Sequence, residues 1–373
     1  MNSIYKPLFE PLQLKNRVEL KNRVVLAPMT NFSSHPDGTV SDAEVDYYVR
    51  RSKGVGMVMT ACTYVTADGK GFHGEFGGDH DGMIPSLSRL ALSIKEQGAK
   101  AVLQIFHGGR ECPSELVPNG ETVSASAVPS EGSDITPRAL TEREAEDIIS
   151  AFGETTRRAI EAGYDGVEIH GANGYLIQQF FSPHSNRRED QFGGSLEKRL
   201  TFPLAVVDAV QKAVKEHAKE PFIVGYRFSP EEPTDPGITM EDTLELVDVL
   251  SDKGLDYLHV SLMDFWSNPR RGADESKPRI QHLLEIINNR VPLIGVGSIH
   301  TPEEAVKALE TGVAMVALGR ELIMEPDWVE KVQEGKEGEI ATTLSNKDQE
   351  KLVIPDPLWQ AIVNTPGWFP VVD

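Results

Sequence analysis

Cysteine is nearly absent from this chain: Cys62 and Cys112 are the only two among 373 residues. Two thiols build no disulfide framework, and they fall short of the four thiolates an iron–sulfur cluster takes. A reduced, cytoplasmic chain is the expectation. Positive charge is also scarce. Lys and Arg number 37 against 57 Asp and Glu, for a net charge of −20, which argues against nucleic acid and anionic membrane as partners. An anionic small molecule stays allowed, because a few clustered arginines and helix N-termini bind phosphate even on an acidic protein. No apolar run approaches the roughly 20 residues of a membrane span. The opening MNSIYKPLFEPLQL has neither the basic head nor the apolar stretch of a signal peptide. Finally, no Gly-x-Gly-x-x-Gly joins an early strand to a helix, which weakens the case for an open dinucleotide-binding sheet.

What is present is an alternation of short apolar strands and amphipathic helices, in a chain with globular proportions of 39% hydrophobic and 25% charged residues. Strands are predicted at 24–29, 55–60, 101–106, 166–170, 222–228, 257–261, 292–296 and 314–318. Helices are predicted from Ser41 to Gly54, over 84–97, over 141–162 with a capping box at Thr141–Glu144, and over 195–217, 240–252 and 302–310. Eight such βα units in one chain of this length predict an α/β fold, a closed (β/α)8 TIM barrel over residues 1–333. A long Pro- and Ser-rich loop is expected over 107–137. LKNRV occurs at Leu14–Val18 and again at Leu20–Val24, a local duplication or hairpin. Residues 334–373 read as a C-terminal extension packing on the barrel.

Barrels of this kind carry their chemistry on the loops after the strands. The first strand runs into Ala27-Pro28-Met29-Thr30, and the second ends near Cys62. Gln104 lies in the third, ahead of His107-Gly108-Gly109-Arg110. The fourth releases His170, Asn173 and Tyr175 through a Gly-rich turn, bringing imidazole, amide and phenol together. Arg227 ends the fifth, and a charge on an apolar strand needs an anionic partner. Gly297-Ser298 and Gly319-Arg320 follow the seventh and eighth, where such barrels hold phosphate: glycines let backbone N–H groups approach, and arginine supplies charge.

The phrases NRVVLAPMT, QIFHGGR, VEIHGANGYL, SPHSNRREDQFGGS and ALGREL together resemble the old yellow enzyme family of FMN-dependent ene-reductases, over about Tyr5 to Asp327. The resemblance implies non-covalent FMN, NADH or NADPH as hydride donor, and small activated alkenes or quinones as acceptors. It implies that Thr30 bonds the flavin O4 edge, Gln104 the pyrimidine edge and Arg227 the N1/C2 side. Ala27, Pro28, Met29 and Cys62 would line the ring, with Gly297, Ser298, Gly319 and Arg320 at the phosphate end. His170 and Asn173 would hold the substrate carbonyl, and Tyr175 would deliver a proton.

One bacterial branch has Cys where this chain has Thr30 and Tyr where it has Phe32, and completes its site with an arginine from a partner's C-terminus. The tail NTPGWFPVVD carries no arginine, which argues against that dimer and leaves a homo-oligomer of another kind open. The single-domain form without an iron–sulfur extension is expected. On the residues alone two other readings stand: a non-redox phosphate-binding lyase or isomerase, and a flavin-binding protein without turnover.

Overall fold

The computed structural model describes residues 1–372. Eight parallel strands close into a barrel in chain order: β1 (Val24–Leu26), β2 (Met57–Tyr64), β3 (Lys100–Phe106), β4 (Gly166–Gly171), β5 (Ile223–Phe228), β6 (Tyr257–Val260), β7 (Leu293–Val296) and β8 (Met315–Leu318). β8 pairs back onto β1 through Val316–Val24 and Leu318–Leu26, which leaves no free edge. Each strand returns through a helix: α1 (Asp42–Ser52), α2 (Ile84–Glu96), α3 (Glu142–Glu161), α4 (Thr201–His217), α5 (Met240–Ser251), α6 (Arg279–Ile287), α7 (Pro302–Glu310) and α8 (Trp328–Glu334). The chain is thus a (β/α)8 barrel. No helix among the described residues is long and apolar enough to cross a membrane.

Alternation along the strands creates two cores. Val167 and Ile169 of β4 point outward into the large layer between sheet and helices. The inward residues of the lower half form a second cluster with Val25, Met57, Met59, Val102, Ile223, Tyr257, Ile294 and Met315. Leu14 and Leu20 plug it from below. They are carried by the LKNRV duplication, an antiparallel hairpin pairing Leu12 with Leu20. In the upper half the inward positions turn polar, with Gln104, Glu168, His170, Arg227 and His259 all buried.

Capping boxes start four of the helices, at Ser41/Glu44, Thr141/Glu144, Thr239/Asp242 and Thr301/Glu304. Each N-cap is worth about 1 kcal/mol. Three elements depart from the sequence reading, by more than two residues at one end or by an internal break. β1 stops at Leu26, although Ala27 N still donates to Leu318 O at 2.9 Å, because Pro28 has no N–H to continue the ladder. β2 runs on to Tyr64 through a bulge between Met59 and Cys62. The single helix expected over 195–217 is two, Leu196–Arg199 and α4, separated at Leu200 where Pro203 withholds the N–H that Arg199 would receive. The long loop after β3 holds a short parallel pair, Val123–Ser124 with Arg138–Ala139. Beyond α8, Leu344, Leu352, Leu358 and Ile362 are buried, and Arg51 of α1 donates to Leu352 O at 2.7 Å.

Candidate active site

The C-terminal ends of the strands surround a cavity lined by Pro28, Thr30, Cys62, Phe72, Gln104, His170, Asn173, Tyr175 and Arg227. Eight of these nine were expected from the sequence; Phe72 was not. The β2 bulge matters here, because it shifts the register so that Cys62 sits opposite Gln104 and both reach the cavity. Thr30 Oγ1 stands 3.9 Å from Cys62 Sγ.

On one side stand two hydrogen-bond donors whose orientation is set by their neighbours. Ala172 N donates to His170 Nδ1 at 3.3 Å, so the imidazole proton belongs on Nε2. Burial, with the Arg227 charge in second place, pushes the His170 pKa down to about 3. His170 is therefore a neutral donor at physiological pH. Asn173 sits in the left-handed region at φ 58°, which its short side chain tolerates. Its Oδ1 accepts from Ser261 Oγ at 2.8 Å and from Ser229 Oγ at 3.4 Å, which leaves Nδ2 free to donate. Ser261 in turn accepts from Arg227 Nη2 at 3.2 Å.

Tyr175 is the N-cap of the helix Leu176–Phe181. Its ring packs edge-on against Phe106 at 4.6 Å, His170 at 5.1 Å and Phe72 at 6.1 Å. Burial, reinforced by Cys62 and Glu75, raises its pKa well above the ordinary phenol value. The phenol thus keeps its proton until a stronger base appears.

The cavity floor is polar. Gln104 Nε2 donates to Glu168 Oε1 at 2.7 Å. The Arg227 guanidinium, only 9% exposed, has a buried Nε without a partner.

Ala27, Met29, Gly297, Ser298, Gly319 and Arg320 lie outside the cavity lining, along the rim beyond β7, β8 and β1. A Cβ on Gly319 would stand 3.2 Å from Met29 Sδ and 3.7 Å from Ala27 Cβ, so these three are neighbours. Gly297 has φ 138° and Ser298 φ 49°. A Cβ on Gly297 would lie 2.5 Å from Phe265 N, so only glycine serves there. Arg320 Nη2 donates to Ser298 Oγ at 2.8 Å and Nη1 to Trp368 O at 3.1 Å, with no carboxylate partner among the described residues.

Sequence reasoning missed Glu168, Ser229, His259 and Ser261. The available signal was a polar residue at an inward position of an apolar strand, as in VEIH and YLHVS.

These donors fit FMN. A flavin's pyrimidine edge presents carbonyl acceptors and an N–H, matching the unpartnered Arg227 Nε and the uncommitted Oε1 and second N–H of Gln104. A phosphate monoester suits Arg320, whose charge has no carboxylate partner, beside the strained Gly297-Ser298 turn.

Comparison with known proteins agrees. The "Probable NADH-dependent flavin oxidoreductase YqiG" of Bacillus subtilis (strain 168) is 58% identical over 373 residues, covering all of both chains. The "NADH:fumarate oxidoreductase" of Klebsiella pneumoniae (strain 342) is 42% identical over 358 residues, 95% of this chain but 38% of that protein. Among solved structures, morphinone reductase in complex with tetrahydroNAD superposes with a TM-score of 0.78 at 27% identity, over 98% of each chain. A family model described as NADH:flavin oxidoreductase / NADH oxidase matches residues 7–339. The chain belongs to that family, the old yellow enzyme family, as an NAD(P)H-dependent flavin oxidoreductase whose cofactor is FMN.

Proposed function

We propose that this oxidoreductase is an ene-reductase, reducing the C=C bond of an α,β-unsaturated carbonyl or a similarly activated acceptor such as a quinone. The observation that carries this reading is the convergence of His170 Nε2–H, the free Asn173 amide N–H and the Tyr175 hydroxyl in one cavity. The flavin supplies hydride chemistry, with NADH or NADPH as the donor. His170 and Asn173 hold the substrate carbonyl oxygen, on which negative charge grows as hydride reaches the β-carbon. Two preorganised donors aimed at such an oxygen stabilise the charge without reorganisation. Tyr175 then gives its proton to the α-carbon, which completes the addition of H⁻ and H⁺ across the double bond.

Thr30, Gln104 and Arg227 are assigned to the flavin ring, with Ala27, Pro28, Met29 and Cys62 beside it. Gly297, Ser298, Gly319 and Arg320 are assigned to its phosphate. Two relatives, named NADH:fumarate oxidoreductase and NADH:acrylate oxidoreductase, carry activated alkenes in their names; this chain spans 38% and 35% of their lengths. We further assign residues 1–333 to the barrel and 334–373 to an extension, of which Asp373 lies outside the described residues; its packing on the barrel is supported by the buried Leu344, Leu358 and Ile362. A cytoplasmic location is supported by two buried, unpaired cysteines.

Replacing both His170 and Asn173 with Ala tests the clamp. Phenols, which mimic the enolate oxygen, are expected to lose their long-wavelength absorbance change while the flavin stays bound. Removing one donor of such a clamp typically costs ~10²–10³ in rate, so cyclohexenone turnover is expected to fall by at least that. Wild-type phenol affinity in the double variant overturns the assignment.

A further inference from the structure

Beneath the cavity lies a buried ionic cluster to which the proposed reaction gives no role. Glu168 is fully buried, yet both of its oxygens are engaged. Oε1 accepts from Gln104 Nε2 at 2.7 Å, and Oε2 lies 2.9 Å from His259 Nδ1. The strand register builds this arrangement. Gln104 of β3 faces Glu168 of β4, and His259 of β6 faces Arg227 of β5. Opposite Glu168 stands Gly225, where a Cβ would meet the Tyr257 ring at 2.1 Å.

The protonation states follow from burial and partners. His259 Nε2 is buried without a partner, so a proton there would leave a cationic N–H bare in the interior. Burial accordingly holds the His259 pKa below its ordinary value, against the pull of Glu168. His259 is neutral, with its proton on Nδ1 facing Glu168. Burial opposes ionisation of Glu168, but His259, Arg227 and Gln104 outweigh it and keep its pKa below the usual carboxylate value. One negative charge therefore sits under the cavity, near an Arg227 that has no ion-pair partner among the described residues.

A carboxamide can lie in two orientations related by a flip. Glu168 selects one: it draws Gln104 Nε2 downward, and the amide's Oε1 and second N–H are left for the ligand above. The charge has a second consequence. Arg227 favours electron-rich, reduced flavin, and a buried carboxylate nearby offsets part of that bias.

We propose that Glu168 is a positioning residue for the flavin, fixing the face that Gln104 presents to the pyrimidine edge and holding the FMN reduction potential below the level Arg227 alone would set. His259 is the brace that satisfies the second oxygen. The inference rests on the assignment of Gln104 and Arg227 to FMN, and its test needs neither nicotinamide nor alkene.

Glu168→Gln removes the charge and leaves one acceptor oxygen for two donors. In the purified holoprotein, reductive titration against a reference dye is expected to show the reduced-to-oxidised FMN ratio up at least tenfold at fixed potential. That is about 30 mV for a two-electron couple. The FMN dissociation constant, read by fluorescence on release, is expected to rise tenfold or more. Glu168→Asp keeps the charge but shortens the reach, so it should weaken FMN binding with the ratio moved less than threefold.

The exchange Gln104→Glu with Glu168→Gln keeps both the hydrogen-bonded pair and the net charge, but brings the carboxylate next to the ring. It should fold, and shift the ratio at least tenfold toward oxidised flavin. A folded Glu168→Gln apoprotein that no longer holds FMN also supports the proposal. Unchanged potential and affinity in Glu168→Gln overturn it, whatever the melting temperature. So does failure of both Glu168→Gln and the exchange variant to fold, which would make the cluster a brace for the barrel alone. Flavin readouts that fail while cyclohexenone is still reduced remove only the role of Glu168. The converse removes only the ene-reductase reading.

Discussion

Glu75 carries a pH dependence whose size can be worked out. It lies in the segment after β2, 2% exposed. Its Oε2 accepts from Gly71 N at 2.7 Å and Phe72 N at 3.1 Å, while Oε1 is buried without a partner. Burial outweighs those two bonds and raises its pKa from 4.5 to about 8. Between those values the unfolded chain has lost the proton and the folded chain keeps it. The native state binds more protons, so stability falls as pH rises through this window, and the loss is complete above about 8. At about 1.36 kcal/mol per pH unit the ceiling is roughly 5 kcal/mol, reduced by whatever water or relaxation reaches the ionised carboxylate. Glu75→Gln is the isostere of the protonated acid and has nothing to ionise. Urea unfolding of both proteins from pH 5 to pH 9 is the assay. The two should be within about 1 kcal/mol of each other at pH 5, with the variant more stable by several kcal/mol at pH 9. Glu44, raised by burial to about 7, sags in the same direction in both proteins and cancels in the difference. A difference that does not change with pH refutes the reasoning. Because Glu75 ties down Phe72, which packs on Tyr175 at 6.1 Å, alkene turnover should decline in the wild type over the same upper range and less in the variant.

Tyr175→Phe deletes the proton and keeps the ring packing. It should leave flavin reduction by NAD(P)H near wild type and slow reoxidation by cyclohexenone by ~10²–10⁴. Stopped-flow traces with both half-reactions unchanged would assign the proton to water. Ser261→Ala severs the link from Arg227 to Asn173 Oδ1, leaving only the 3.4 Å contact from Ser229. A hydrogen bond of net 0.5–1.5 kcal/mol corresponds to about a two- to thirteenfold loss in kcat/KM for the enone; an unchanged value shows that the amide is oriented by something else.

The barrel was legible because its signals are local. Period-2 apolar runs, Ser/Thr caps with an acid three residues on, and glycine or proline at the ends each read within about one turn of chain. α7 was placed to the residue by Thr301-Pro302 at its start, and α3 to within one residue at each end by the Thr141 cap. Where the reading slipped, the cause was one backbone group: the N–H missing from Pro28 ended β1 early, and that missing from Pro203 divided a helix. The β2 bulge had no local mark. It arises from pairing with β3, and the same displacement brings Cys62 level with Gln104.

The site divides along the same line. His170, Asn173 and Tyr175 are close in sequence, so their meeting required only that one strand end in a turn. Their orientation is a different matter. Which nitrogen of His170 carries the proton depends on Ala172 N, and which way the Asn173 amide faces depends on Ser229 and Ser261, more than 50 residues further on. Glu168 shows the point most sharply. Two residues before His170 it reads as one more polar position in a half-buried strand. Only the register of β3 on β4 and of β6 on β5 brings it Gln104 and places His259 across from Arg227. Residue type can thus be read from the chain wherever chemistry demands it. Donor direction and charge state come from strands that meet only when the barrel closes. The reactivity of this site is therefore a property of the register, and substitutions at Glu168 and Ser261, which touch no substrate, are expected to alter it.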